Sequence, residues 1–196
     1  MTPKQDFVDR ILPHRLGAVE VLGFAIRFRS RWAAPVRMEI LFDGKLSIEG
    51  LSSAFTNPAI EAGIIHCRAL LEFLGLRVDK TSHANLPQRQ QGRGDDLLIE
   101  QFSNAAGALP LVTPLEAVAA YRGSPQEAER ALARVIHIAN KGLAHSTAGL
   151  LDDPDDQHLV EIASRGVPAL VVKHFYSRLG LTLPSKLIKE RPREST

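Results

Sequence analysis

The clearest helical pattern in the first half of the chain runs from Gly17 to Trp32. Apolar residues stand at positions 18, 19, 21, 22, 25, 26 and 28, which is dense enough for a helix that packs on more than one side. Pro35 is expected to end this helix, because proline cannot continue one. A second helix is predicted to start at Asn57-Pro58, with Asn57 as the N-cap, and to end at Gly75.

The segment from Met38 to Ile48 fits two structures. Apolar residues alternate on either side of Asp43-Gly44, a dipeptide that is typical of a tight hairpin turn. The run from Val36 to Phe42 also fits a short helix that Gly44 ends. The pattern slightly favours the helix, and the hairpin stays open as the alternative.

Helix start signals recur in the second half of the chain. The strongest is Ser124-Pro125-Gln126-Glu127, a capping box with proline at the first helical position, which predicts a helix that runs to about His145. The remaining predicted helices begin at Thr113-Pro114 and Asp153-Pro154, or cover Asp95–Phe102 and residues 167–180.

These elements predict a mainly α protein, a helical bundle of roughly six to eight helices. Strand-like alternation is confined to residues 38–48. We expect residues 1–184 to form a single helical domain and residues 185–196 to form a basic, flexible tail. With 196 residues, of which 44% are hydrophobic, the chain is long enough to bury one core.

Composition excludes several classes of protein. The single cysteine, Cys67, rules out an internal disulfide framework and every multi-cysteine zinc motif, and it favours a reducing, cytoplasmic setting. Cys67 itself is expected to be a small buried hydrophobe. Met1–Leu12 holds two aspartates and no apolar run, which is unlike a secretory signal. No apolar stretch reaches the length of a membrane span, so no membrane association is expected.

The charges are unevenly distributed, although the net charge is only +2. Residues 1–37 contain seven lysines and arginines but three acidic residues, and residues 79–94 are predicted to be an exposed loop. The aspartates of 152–156 fit a metal site with His158, but they fit the cap and first turn of a helix better. Gln91–Gly94 lacks the ending of a phosphate loop. The sequence therefore predicts no metal site and no cofactor.

The helix from Pro125 has two contrasting faces. At about 100° per residue, one face holds the apolar residues at positions 128, 132, 135, 136, 139 and 143. The opposite face, which we call the basic ridge, carries Arg130, Arg134, His137, Lys141 and His145. The basic ridge fits contact with the phosphate backbone of a nucleic acid. It also fits an ordinary solvated helix face.

The end of this helix reads Ala139-Asn140-Lys141-Gly142-Leu143-Ala144-His145. It resembles the signature of the HEPN superfamily (higher eukaryotes and prokaryotes nucleotide-binding domains), helical bundles that include toxin and abortive-infection endoribonucleases. That signature is an arginine, often followed by asparagine, with a histidine a few residues further on. Asn140, Lys141 and His145 match the asparagine, its basic neighbour and the histidine, whereas Ala139 stands where the arginine is expected.

The resemblance implies a metal-independent endoribonuclease that acts on RNA as a homodimer, with an antitoxin-like protein as a further candidate partner. By position, His145 would be the acid or base, Asn140 would orient the phosphate, and Lys141 would supply positive charge. Lysine lacks the planar fork of arginine, so weak or absent activity is expected. Two alternatives stay open: His145 as a cation that stabilises the helix C-terminus, and a non-catalytic module that binds a nucleotide, a nucleic acid or an acidic protein.

A second group of charges lies on the helix from Pro58. Glu61, Arg68 and Glu72 fall within about 40° of one another, so Arg68 is a candidate nucleic-acid contact that would replace the absent arginine. Arg68 and Glu72 also have the spacing of an ordinary i,i+4 ion pair. His66 lies off this stripe and is expected to be a packing residue.

Overall fold

The computed structural model describes residues 2–78, 86–87, 96–119, 121–142 and 154–186, and these ranges contain five helices when consecutive helical segments are joined. Helix α1 spans 3–29 (Pro3–Asp6, Phe7–Ile11 and Leu12–Arg29), α2 is Ser53–Phe73, and α3 is Pro114–Ala119. Helix α4 spans 125–142 (Pro125–His137 and Ile138–Gly142), and α5 spans 154–179 (Pro154–Val171, Val172–Tyr176 and Ser177–Leu179). The mainly α prediction is confirmed, while the count of six to eight helices is not.

Three of these helices contain a π-helical turn, at Phe7–Ile11, Ile138–Gly142 and Val172–Tyr176. A π turn holds an extra residue and so rotates the side chains that follow it around the helix. No described helix is both long and apolar enough to cross a membrane.

The segment after α1 forms an antiparallel hairpin of β1 (Arg37–Phe42) and β2 (Lys45–Leu51). The slight preference for a helix here is wrong. Asp43 and Gly44 have φ angles of 50° and 75°, the left-handed conformation that a two-residue hairpin turn needs, so the Asp-Gly signal decides the structure. Ile40 lies opposite Ile48 and Leu41 opposite Leu46, which leaves Ser47 as a bulge. A second short pair joins β3 (Ser103–Asn104) and β4 (Gly107–Ala108).

Helix α2 begins earlier than the sequence predicts. Its N-cap is Ser52, and Pro58 lies inside the helix, so Asn57 is not the cap. Two hydrogen bonds hold Ser52 against Val36 directly after β2: Ser52 N–H donates to the Val36 carbonyl at 2.8 Å, and Val36 N–H donates to Ser52 Oγ at 3.1 Å. The hairpin thus sets where α2 starts. Gly75, with a φ of 93°, follows the end of α2 as predicted.

The other capping predictions have mixed outcomes. Thr113 and Glu116 form a complete capping box at the start of α3, with Glu116 N–H bonded to Thr113 Oγ1 at 3.2 Å and Thr113 N–H to Glu116 Oε2 at 2.9 Å. The short helix predicted over Asp95–Phe102 is only a 3₁₀ turn at Ile99–Gln101 in the described part. The helices predicted after Asp153 and at 167–180 form one element, α5, with Pro168 inside it.

The main helices pack antiparallel around one core. Gly63 of α2 lies so close to α1 that an added Cβ would be 2.3 Å from Leu22 Cβ. Phe24 of α1 faces Phe55, near the start of α2, and Gly23 lies against Ser164 of α5. The fully buried side chains include Leu12, Leu22, Ile64, Leu70, Ile136 and Phe175. Cys67 is buried among them, as predicted, and burial raises the pKa of its thiol.

These contacts fix which helix termini share an end of the bundle. Residues Glu127 and Arg130 of α4 lie beside His158 and Asp155 of α5 in reverse order, so those two helices are also antiparallel. The C-termini of α1 and α4 therefore lie at the same end as the N-termini of α2 and α5. The β1–β2 hairpin connects α1 to α2 there. We call this the hairpin end of the bundle.

Candidate functional site

Helix α4 separates its faces as the sequence predicts. Ser124 is the N-cap, and its hydroxyl accepts from Glu127 N–H at 3.5 Å. Ala128, Leu132, Val135 and Ile136 are buried. On the basic ridge, Arg130 and Lys141 are exposed, and Arg134 and His137 are half-buried. The apolar face anchors the helix in the core and leaves the ridge at the surface.

The residues that carry the HEPN resemblance occupy the π turn at Ile138–Gly142. Asn140 is half-buried and Lys141 is exposed, so both reach the surface at the hairpin end. Ala139 is only 3% exposed and belongs to the core. Position 139 therefore contributes no group to this surface, and Lys141 is the cation that this turn supplies. His145, the predicted acid or base, lies outside the described residues.

Two arginines of the basic ridge pair with the start of α5. Arg134 forms a bidentate ion pair with the fully buried Asp156, with Nε–Oδ1 and Nη2–Oδ2 distances of 2.5 and 2.7 Å. Arg130 lies 3.4 Å from Asp155 in an exposed pair. The carboxylates lie in the first turn of α5, where the helix dipole also favours them. These contacts hold α4 against α5; a role for Arg130 and Arg134 in nucleic-acid binding stays a prediction.

A third link between these helices centres on Glu127. Its carboxylate accepts from Tyr121 Oη at 2.8 Å and lies 3.1 Å from His158 Nε2. The hydrogen bond from Tyr121, followed by that from His158, lowers the pKa of Glu127, and the same contact with Glu127 raises the pKa of Tyr121. Glu127 thus joins the loop before α4 to α5, instead of returning to cap its own helix.

Arg68 forms the ordinary ion pair that its spacing allows, with 3.0 Å between Arg68 Nε and Glu72 Oε1. It lies in the half of α2 that packs on the N-terminal half of α1, far along the helix from the hairpin end. The structure therefore does not bring Arg68 together with Asn140 and Lys141. Its role as a nucleic-acid contact is untested. Glu61, the third member of that stripe, is exposed.

A cluster of basic side chains where α1 packs on α2 was not predicted from the sequence. Arg15 Nη1 lies 3.3 Å from His66 Nδ1, and the rings of His14 and His66 meet edge to face at 5.2 Å. Burial lowers the pKa of His66, with smaller contributions from Arg15 and His14. His66 is half-buried at the surface of the bundle, so it is not a pure packing residue. Nothing in the sequence links positions 15 and 66, because only helix packing brings them together.

The hairpin end gathers further positive charge. Arg29 is the last residue of α1, and Arg31 lies two positions further along the chain; both are exposed. Asn140 and Lys141 lie at this same end because α1 and α4 run in the same direction.

Comparison with known proteins found no matching family model, no matching curated protein and no matching solved structure.

Proposed function

We propose that this chain is a HEPN-like helical domain that binds RNA at the hairpin end of the bundle. The observation that carries this proposal is the π turn at Ile138–Gly142, which puts Asn140 and Lys141 at the surface and Ala139 in the core. Single π turns within α-helices occur frequently at functional sites. The amide of Asn140 and the ammonium of Lys141 are both suited to phosphate oxygens.

The proposal needs a cation in place of the arginine that Ala139 replaces. Arg134 is held by Asp156, which leaves it poorly suited to that part. Arg29 and Arg31 at the end of α1 are better candidates, because they are exposed at the same end as Lys141. A second copy of the chain in a homodimer is the other source of positive charge.

The chemistry in this proposal is transesterification of RNA without a metal. His145 removes the proton of a ribose 2′-hydroxyl, whose oxygen forms a bond to the adjacent phosphorus while the P–O5′ bond breaks. The departing O5′ takes up a proton from solvent, to which His145 returns the proton that it removed, and the products are a cyclic phosphate and a 5′-hydroxyl. Asn140 and Lys141 hold the non-bridging oxygens as negative charge develops on them.

The test is an RNA cleavage assay in EDTA with the full chain. We expect slow cleavage by the wild type and loss of product in His145→Ala, with Asn140→Ala weakened. Lys173→Gln, which removes an exposed lysine at the opposite end of the bundle, serves as the control and should cleave at the wild-type rate. Cleavage that survives in His145→Ala would remove this histidine from the mechanism.

The second candidate is a binding module without catalysis, and the burial of Ala139 favours it. An active site that lacks its arginine loses the planar, bidentate contact with phosphate, which lysine does not replace. This candidate predicts RNA binding that weakens steeply with salt and yields no product. The cleavage assay and a binding assay on the same RNA separate the two candidates.

A further inference from the structure

A cavity of about 210 Å³ opens at the hairpin end, between the C-terminus of α1 and the N-terminus of α2. Arg29 and Trp32 line one side, and Ser52, Ser53 and Thr56 line the other. None of the described lining residues is acidic. The cavity is therefore positively charged and rich in hydrogen-bond donors.

The start of α2 offers a backbone donor to this cavity. No side chain caps the helix. The N–H groups of Phe55 and Thr56 both donate to the Ser52 carbonyl, at 3.1 and 2.9 Å, but that of Ser53, which lines the cavity, makes no backbone hydrogen bond within the described residues. Unpaired N–H groups at the positive end of a helix dipole attract anions.

Thr56 gives a second, independent indication of a ligand. It is 2% exposed and lines the cavity, yet its hydroxyl has no hydrogen-bond partner among the residues that the structure describes. A hydroxyl that lines a cavity can donate to a ligand atom there, and that hydrogen bond would stabilise the complex. Ser52, 6% exposed, lies beside it; its Oγ accepts from Val36 N–H, and its own proton remains available for donation.

Arg29 supplies the charge that such a ligand needs. It forms no ion pair with any residue in the described ranges, in contrast to Arg130 and Arg134. The C-terminus of α1, which carries the negative end of its helix dipole, also lies there. Its partial negative charge is reduced, because the carbonyls of Ile26, Phe28 and Arg29 already accept from the N–H groups of residues 30, 31 and 32. Arg29 thus lines the cavity together with hydroxyl side chains, and no carboxylate among the described lining residues compensates its charge.

We propose that this cavity is an oxyanion site that binds a phosphate group. A phosphate presents several acceptor oxygens and a negative charge, which matches one guanidinium, two hydroxyls and one open N–H group. The site does not depend on His145 or on any reaction at α4. The phosphate comes from a free ion, a nucleotide or an RNA backbone, and the experiment distinguishes these sources.

The test measures binding of inorganic phosphate to the full chain by calorimetry and thermal unfolding, at constant ionic strength with chloride as the reference anion. We expect phosphate to raise the melting temperature of the wild type. Arg29→Gln and Thr56→Val should each weaken phosphate binding about tenfold, since each loses a hydrogen bond to a charged ligand. Lys173→Gln, which removes an exposed lysine outside the described lining, should bind as the wild type does.

Thr56→Val separates the proposal from simple misfolding. Valine has nearly the same shape but no hydroxyl, so this variant should melt no lower than the wild type without phosphate and gain less from its addition. A variant that merely folds badly would melt lower in both conditions. The proposal is overturned if phosphate does not stabilise the wild type, or if Arg29→Gln and Thr56→Val keep the full response.

A nucleoside monophosphate and a short single-stranded RNA identify the source of the phosphate. If RNA displaces inorganic phosphate from the wild type, the cavity holds a backbone phosphate of the RNA. If only the mononucleotide or the free ion binds, the cavity is a separate anion site, and the RNA function proposed for Asn140 and Lys141 is judged by its own assay.

Discussion

The α4–α5 face and the cavity at the hairpin end differ in whether their charged side chains form ion pairs within the described residues. On the α4–α5 face, Arg134 pairs with Asp156, Arg130 with Asp155 and His158 with Glu127. At the hairpin end, Arg29 and Thr56 line a cavity and lack such partners among the described residues. On the face with the more conspicuous sequence pattern, Arg130 and Arg134 are thus paired with carboxylates, whereas Arg29 at the end of α1 forms no ion pair within the described residues.

Removal of Arg134 is the strongest way to test the first half of this comparison. Arg134→Ala leaves the Asp156 carboxylate buried without its bidentate partner, which should cost about 3 kcal/mol or more of the free energy of unfolding. Arg130→Ala breaks only an exposed pair and should cost less than about 1 kcal/mol. Urea denaturation of both variants measures the difference. Equal, small losses would show that the Arg134–Asp156 pair does not hold α4 to α5.

A smaller effect is expected from His174, a buried titratable group away from both regions. Burial lowers the pKa of His174, with a further decrease from Lys173 and Arg178 and an opposing increase from Glu116. The unfolded chain, with a histidine pKa of about 6.5, therefore binds the proton more readily. The folded protein should lose stability as the pH falls below about 6.5, and a His174→Gln variant should lose less. Unfolding curves between about pH 7 and pH 5 measure this; identical pH dependence in the variant would exclude His174 as its source.

The hydroxyl of Tyr176 distinguishes a buried polar group that faces a cavity from one enclosed by the core. Tyr176 is 3% exposed, and its hydroxyl has no hydrogen-bond partner in the part of the chain that the structure describes. Tyr176→Phe should leave the protein equally stable or stabilise it by up to about 1 kcal/mol, because it removes a buried group that gains nothing from folding. Unlike Thr56→Val, it should leave the response to phosphate unchanged. A clear loss of stability in Tyr176→Phe would show that the hydroxyl forms a stabilising hydrogen bond in the folded protein.

Local signals made part of this fold predictable. Ser124-Pro125 and Thr113-Pro114 act within one helical turn, so the starts of α4 and α3 follow from neighbouring residues. The secondary structure of the segment at 38–48 was less predictable, because apolar periodicity in a run this short fits both a strand and a helix. The left-handed conformation of Asp43-Gly44 determines that the segment is a hairpin.

The contacts across helices could not be predicted in this way. The Arg134–Asp156 pair joins residues 22 positions apart, and the Arg15–His66 contact joins residues 51 positions apart. Both contacts depend on which helices pack together and on how far one helix is shifted along the axis of the other. Helical periodicity specifies neither. The cavity at Arg29 has the same origin, since the β1–β2 hairpin determines where α2 begins beside the end of α1.

The most direct test of the proposed RNA site is the salt dependence of RNA affinity in wild type and in Lys141→Gln. If Lys141 contacts a phosphate, its loss should weaken binding and reduce the slope of log affinity against log salt by about 0.7 for single-stranded RNA. Lys173→Gln should leave both quantities unchanged. An unaltered slope in Lys141→Gln, or an equal change in Lys173→Gln, would contradict the assignment of RNA binding to the end of α4.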